Sequence, residues 1–189
     1  MSTLDKYDAI IPYVPNRFTL PTIVGACTYP VLYPVMFVGQ SGIDYYAEVH
    51  QTSWNAYCHT VGMPFTILGM LMWIPVCVTN NPKIAQEIQQ FLYISYGSYY
   101  FCISPQISAM YFAMYYYPYI KAHEYFNTYN NKKDRFTTFI LGFMIAFFAL
   151  LFQEVVGHWY GGDDLSRFEA IPNAILHAKY FSISHMIGN

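Results

Sequence analysis

The sequence has little charge, since lysine, arginine, aspartate and glutamate together make up only 11% of its 189 residues. Hydrophobic residues make up 55%, which is more than soluble domains usually carry. The formal net charge of −2 offers no positive field for a polyanion. The many aromatic residues lie inside apolar runs rather than between basic residues. We therefore expect no nucleic-acid partner and predict an integral membrane protein in contact with lipids.

Paired cysteines and an N-terminal leader pattern are also lacking. No C-x-x-C pair is present, and Cys27, Cys58, Cys77 and Cys102 lie singly in or beside apolar segments. Such cysteines are typical of small buried side chains rather than of a disulfide framework or a thiolate metal site. The first ten residues, MSTLDKYDAI, resemble neither a secretory signal nor a transit peptide. Any targeting signal is therefore expected inside the chain.

Four long stretches are nearly free of charge, namely residues 20–39, 61–79, 91–120 and 136–153. Lipid tolerates only backbone that satisfies its own hydrogen bonds, which favours helices. The predicted fold class is all-α, a polytopic membrane helical bundle with about 4–5 transmembrane or half-crossing helices of about 20 residues each. Three prolines in the first stretch predict a kinked or half-crossing segment there.

Polar residues gather directly ahead of the second stretch, in the sequence HQTSWNAYCHTVGMP. Asn55 and His59 are four residues apart, which places them on one face of a helix. His50 and His59 are nine apart, so one continuous helix would point them in opposite directions. A helix capped by Thr52 or Ser53 instead leaves His50 ahead of the cap, where it can fold back towards His59.

A second polar cluster follows the fourth stretch. It contains Gln153, Glu154 and His158, and Glu169 comes shortly after it. Between them, Gly-Gly and two aspartates mark a turn and a helix cap. Imidazole suits iron, zinc and copper. Two histidines at the start of one predicted helix and one at the end of another therefore predict a metal site.

The topology of the chain decides whether that site can form. His59 and His158 can meet only if the chain crosses the membrane an even number of times between them. The run 91–120 is long enough for one oblique crossing, but Pro105 lies at its middle. Two crossings between 84 and 120 bring the histidines to one face, whereas a single crossing separates them. The metal site therefore requires a turn or a broken hairpin at Pro105, and the basic loop 121–135 then lies on the opposite, cytosolic or matrix side.

The spacing H-x4-N-x3-H-x2-G-x-P, formed by His50, Asn55, His59, Gly62 and Pro64, is followed by Q…G-H and F-E…P. These motifs resemble those of the small membrane proteins typified by fungal 2-hydroxy-palmitate dioxygenase. The resemblance implies an iron(II) enzyme of the endoplasmic reticulum that removes one carbon from 2-hydroxy fatty acids arising in phytosphingosine breakdown. It runs from about Tyr46 to His185. Residues 1–40 are accordingly assigned to an N-terminal extension, and residues 41–189 to a dioxygenase-like membrane domain.

The resemblance also implies roles for particular residues. His50, His59 and His158 correspond to the metal ligands, with open positions on iron(II) for oxygen and for the hydroxy-carboxylate end of the fatty acid. Asn55 is expected to orient a ligand or a bound water, and Glu169 to serve as a fourth ligand or a proton carrier. For each of the other histidines, at positions 123, 177 and 185, a hydrogen-bonded interfacial residue is expected.

Two departures from the family pattern leave alternatives open. The family has Q-x2-G-H, whereas three residues separate Gln153 from Gly157 here, which rotates the glutamine by about 100° unless a bulge absorbs the extra residue. The family's glutamate follows its Gly-His closely, whereas WYGGDDLSR intervenes before Phe168 and Glu169, and His185 takes the apparent place of a later glutamate.

A second hypothesis is therefore a non-catalytic accessory subunit, without a cofactor, of a large membrane complex such as a respiratory complex of the mitochondrial inner membrane. A third is a haem protein with two of the histidines as axial ligands, but C-x-x-C-H is lacking and His50 and His59 are poorly spaced for it.

Overall fold

The computed structural model describes residues 47, 50–127, 132–164 and 171–186, without the side chains of 102, 103, 132 and 171–176. The elements along residues 53–186 are α1 (Ser53–Val78), α2 (Pro82–Ile103), α3 (Pro105–Asn127), α4 (Lys132–Phe152), a π-helical segment (Gln153–Trp159) and α5 (Ile171–Met186). The predicted all-α class is confirmed for these residues. The predicted extension 1–40, with the proline-rich stretch inside it, lies outside the described residues.

Helix α1 begins at the predicted cap. Thr52 is extended, and its hydroxyl accepts a hydrogen bond from the backbone N–H of Asn55, which satisfies one of the unpaired donors of the first turn. The helix ends at Val78, and the side chain of Asn81 caps α2 with Pro82 in its first turn. A short turn at residues 79–81 therefore separates α1 from α2.

A break separates α2 from α3 at the position that the metal site requires. Ser104 has extended backbone angles and Pro105 opens α3, because a residue that precedes proline is driven out of the helical region. The two helices run antiparallel, since Tyr93 donates to the carbonyl of Phe112 and Ser108 to the carbonyl of Gly97, each at 2.8 Å. The broken hairpin at Pro105 is confirmed.

Helices α1 and α4 also run antiparallel, and they cross at two glycines. A Cβ on Gly69 would collide with the carbonyl oxygen of Gly142, and one on Gly142 would lie 2.6 Å from the Cβ of Met72. Only small residues allow two helix backbones to come this close. The antiparallel packing brings the end of α4 beside the beginning of α1.

The hydrophobic core lies between α1, α2, α3 and α5. Its largest fully buried side chains are Tyr99, Tyr100, Tyr111, Tyr115, Met72, Ile107 and Ile183, whereas Phe126 is buried in a second, smaller cluster with Val76 and Ala85. Helix α5 packs against α1 and α3.

Within the described part of the chain, two helices are long and apolar enough to cross a membrane, Ser53–Val78 and Lys133–Trp159. Helices α2 and α3 are also long enough to cross a membrane, but they are less apolar, because tyrosines and polar residues lower their mean hydropathy. The number of crossings beyond these two stays a prediction.

Candidate metal centre

Three histidines meet at the end of the bundle where α1 begins and α4 ends. The Nε2 atom of His59 lies 3.2 Å from Nε2 of His50 and 3.2 Å from Nε2 of His158. All three side chains are at most 5% exposed. One ring nitrogen from each lies within 4.8 Å of the others, and no other such cluster occurs among the described residues. The structure therefore brings together the three residues that the sequence predicts as ligands.

The helix start at Ser53 explains how His50 reaches His59. His50 lies before the Thr52 cap, where its N–H donates to the carbonyl of Ala47. His59 lies nearly two turns into α1. The chain direction thus changes between the two histidines, and the half-turn difference in helical phase disappears.

The third histidine is carried by the π-helical segment Gln153–Trp159. A π-helix accommodates one extra residue in a turn, so the longer spacing between Gln153 and Gly157 is absorbed by a bulge. Gln153 is buried, and its amide nitrogen donates to Thr66 and to the Ala149 carbonyl, each at 2.9 Å. Of the two outcomes left open by the sequence, the bulge is the one observed.

Gly62 of the G-x-P motif has no side chain and so leaves room for the side chain of Gln153. A Cβ on Gly62 would lie 2.7 Å from Cγ and 2.8 Å from Nε2 of Gln153. The first and second motifs are therefore in direct contact between α1 and the π-helical segment.

The hydrogen bonds of His158 assign its tautomer. Its Nδ1 lies 2.7 Å from the backbone carbonyl oxygen of Asp164, and a carbonyl can only accept. Nδ1 therefore carries the hydrogen, which leaves the lone pair of Nε2 directed at the other two histidines.

Asn55 is fully buried beside His158. Its amide nitrogen lies 3.3 Å from Nδ1 of His158 and donates to the carboxylate of Asp163 at 2.8 Å. Because Nδ1 of His158 is itself a donor, Asn55 supports the ring by packing, and its hydrogen bond goes to Asp163.

Asp163 is a residue of this site whose role the sequence analysis missed, since it was assigned only to a turn and a cap. Its Oδ2 accepts from the backbone N–H of Gln51 and Thr52 and from the side chains of Thr52 and Asn55. Burial raises the pKa of Asp163, but these hydrogen bonds outweigh burial and hold the pKa below its usual value. The signal available in the sequence was an acidic residue that follows Gly-Gly close to a candidate ligand.

The remaining candidates lie elsewhere. Glu169 is outside the described residues, so its role as a ligand or proton carrier stays a prediction. His123 is hydrogen-bonded to Gln89 at 3.0 Å, His177 is buried in α5, and His185 is exposed and stacked on Phe181. None of these three histidines belongs to the cluster.

The geometry of the cluster fits a transition metal ion. Two nitrogens that each lie about 2.1 Å from one ion, at an angle of about 100°, are about 3.2 Å apart, which is the distance from Nε2 of His59 to Nε2 of His50 and to Nε2 of His158. Three neutral imidazoles suit iron(II), zinc, copper or cobalt. A haem between His50 and His59 does not fit, because their ring centroids are only 4.6 Å apart and leave no room for a porphyrin.

Exposed aromatic side chains surround the same end of the bundle. Trp54 is 49% exposed and Tyr160 is 80% exposed, with Tyr57 and Trp159 between these values. Tryptophan and tyrosine are enriched where lipid meets water. The histidine cluster thus lies at the same end of the two longest apolar helices as these exposed aromatic side chains, which we call the aromatic belt.

Comparison of the chain with known protein families, with curated proteins and with solved structures gives no match. The resemblance to the dioxygenase family therefore depends on the motif residues described above and stays a prediction.

Proposed function

We propose that this chain is an integral membrane metalloprotein of the endoplasmic reticulum that holds iron(II) with His50, His59 and His158 and shortens 2-hydroxy fatty acids by one carbon. The observation that carries the proposal is the buried cluster of three imidazoles in which Nε2 of His59 lies 3.2 Å from Nε2 of His50 and of His158, with one nitrogen of each ring within 4.8 Å of the others. This spacing of the ring nitrogens supports a metal site, because three imidazoles at such distances can bind one ion.

The surface of the bundle supports a membrane location. Along α4, apolar side chains are 40–65% exposed: Phe136, Ile140, Phe143, Met144, Phe147, Phe148, Leu150 and Leu151. A continuous apolar face of this length is costly in water but is solvated by lipid tails. Lipids are therefore the proposed surroundings of α1 and α4.

The position of the site supports an amphiphilic substrate. A fatty acid aligned with the apolar helices places its tail among them and its polar end at the aromatic belt, where the histidines lie. An iron(II) ion held by the three histidines would offer coordination positions for oxygen and for the hydroxy and carboxylate oxygens of the substrate. Because imidazole ligands bring no negative charge, the substrate carboxylate would contribute the charge that a buried divalent ion requires.

The residues of the chain have distinct tasks in this proposal. The three histidines hold the ion, and the Asp164 carbonyl keeps the lone pair of His158 Nε2 directed inward. Gly157 brings the π-helical segment against Cys58 and Asn55, both fully buried, which excludes water from that side of the cluster.

The test is the metal content of the full chain purified in mild detergent. Wild type should contain about one iron per chain for a site of this ligand number, and should convert a 2-hydroxy fatty acid to the acid one carbon shorter. His59→Ala should lose both properties, because His59 contacts both other ligands. His123→Ala, on α3 and hydrogen-bonded to Gln89, is the matched control and should keep both.

A His59→Ala protein that retains iron and turnover would contradict the proposal. Wild type that contains no metal and purifies inside a much larger particle would instead favour the accessory subunit of a membrane complex.

A further inference from the structure

The loop that follows the π-helical segment folds tightly back onto it. The N–H groups of Gly162 and Asp163 both donate to the carbonyl of His158, at 3.0 and 3.1 Å. Gly162 has a positive φ of 82°, which side chains other than glycine rarely adopt. A Cβ on Gly161 would collide with the Gly157 carbonyl. The Gly-Gly pair therefore allows the two aspartates to return to the histidine.

The two aspartates that follow have different tasks. Asp164 uses its backbone carbonyl, which accepts from Nδ1 of His158, while its side chain is exposed. Asp163 uses its carboxylate, which reaches across to the N-terminus of α1 and accepts four hydrogen bonds of 2.8–3.2 Å from residues 51, 52 and 55.

Asp163 contacts or adjoins the chain segments that hold all three candidate ligands in place. Gln51 directly follows His50, and Thr52 caps the helix that carries His59. The carbonyl that orients His158 belongs to the next residue in the loop. One carboxylate thus joins the two chain segments, more than 100 residues apart in sequence, that meet at the cluster.

We infer that Asp163 is a positioning residue that clamps the loop 161–164 onto the start of α1 and thereby sets the relative placement of His50, His59 and His158 for metal binding. The inference rests on the proposed metal site. A carboxylate suits this task because it accepts several hydrogen bonds with one oxygen, and because its charge is favoured at a helix N-terminus. Groups that orient metal ligands commonly change metal affinity about 10–100-fold when they are removed.

The test measures the affinity and the visible absorption spectrum of cobalt(II), used as the probe ion, in the full chain. Asp163→Asn and Asp164→Asn form a matched pair, since each removes one negative charge from adjacent positions. Asp163→Asn should bind cobalt(II) at least about threefold more weakly than Asp164→Asn, and Asp163→Ala about 10–100-fold more weakly than wild type. The absorption bands should shift in both Asp163 variants, because the ligand geometry changes.

The spectrum separates positioning from general stabilisation. If Asp163 only stabilised the fold, its variants would melt at lower temperature, but the folded fraction would bind cobalt(II) with the affinity and spectrum of wild type. That result would overturn the inference. Should Asp163→Ala fail to fold, Asp163→Asn decides alone, and equality with Asp164→Asn would again overturn it. Wild type that binds no cobalt(II) would instead refute the metal site itself.

Discussion

The α1–α4 pair and the α2–α3 pair are both antiparallel, but they are packed by different means. Gly69 and Gly142 bring the backbones of α1 and α4 into direct contact. Between α2 and α3 the contact is made by rings, with Tyr93 stacked on Tyr119 at 4.5 Å and in edge contact with Phe112 at 5.4 Å.

The difference explains where the candidate metal site lies. A contact between two backbones has little freedom, because neither partner can change rotamer. The spacing of α1 and α4 therefore determines how His59 faces His158. Interlocked rings fill volume and can adjust, which suits the α2–α3 hairpin as the part of the core against which α1 and α5 pack.

The largest difference in stability between the two helix pairs is expected when one methyl group is added to each interface. Gly69→Ala should destabilise the protein by about 3 kcal/mol or more, because the added Cβ meets the backbone of α4. Gly97→Ala, in α2, should cost less. Its Cβ meets the ring tip of Phe112, which is only partly buried and can move outward, and alanine also favours the helix by about 1 kcal/mol.

Thermal unfolding in detergent measures both variants, and bound metal provides a second comparison. Gly69→Ala should lose metal affinity together with stability, whereas Gly97→Ala should retain affinity. Equal effects of the two substitutions on stability and affinity would contradict the assignment of the α1–α4 contact as the one that positions the site.

A second test concerns an amino group that is buried against the tyrosines of the α2–α3 hairpin. Lys179 of α5 is buried, and its ammonium lies 3.9 Å from the ring centroid of Tyr96. Burial lowers the pKa of Lys179 from 10.5 to about 7. Between these values the unfolded chain holds a proton that the folded chain has released, so the free energy of unfolding should rise as the pH rises. Below pH 7 both states are protonated and this contribution is constant.

The expected rise between pH 7 and 9 is about 2 kcal/mol, measured by chemical denaturation. Lys179→Met should remove the rise and be more stable than wild type at pH 7. Lys121→Met, at an exposed position paired with Glu124, should keep it. The same pH dependence in wild type and Lys179→Met would show that Lys179 is not the titrating group.

The smallest expected effect comes from a comparison of two tyrosine hydroxyl groups in the α2–α3 hairpin. Tyr93→Phe should cost about 1 kcal/mol, because the carbonyl of Phe112 loses its hydroxyl donor. The hydroxyl of Tyr115 is buried with no hydrogen-bond partner among the described residues. Tyr115→Phe should therefore change stability by less than about 0.5 kcal/mol or increase it. Equal losses in the two variants would mean that the hydroxyl of Tyr115 is satisfied.

Features encoded by neighbouring residues could be predicted from the sequence. The cap at Thr52 and the break at Pro105 both follow from backbone chemistry within a few residues. The sequence left one or two crossings between 84 and 120 open, and the break observed at Pro105 corresponds to the alternative that brings His59 and His158 to one end of the bundle.

Features that depend on distant residues could not be predicted in the same way. The extra residue after Gln153 allowed either a rotated glutamine or a bulge, and the π-helical segment packed against Gly62 shows which was adopted. The task of Asp163 was missed because its partners lie 108–112 residues earlier in the chain. The burial of Lys179 was missed because a short, weakly patterned helix does not indicate which face is covered.

By itself the sequence determined that the described chain is helical, that α1 begins at Thr52 or Ser53, that Pro105 is a possible break, and which histidines are candidates for a metal. These properties depend on hydrophobicity, proline and capping, which act over one or two helical turns. The tertiary structure alone decided the 3.2 Å distances from Nε2 of His59 to Nε2 of His50 and His158, the inward lone pair of His158 and the clamp formed by Asp163. Each of these depends on two helices that meet at a defined distance. That distance is short because Gly69 and Gly142 have no side chains that would separate the two backbones.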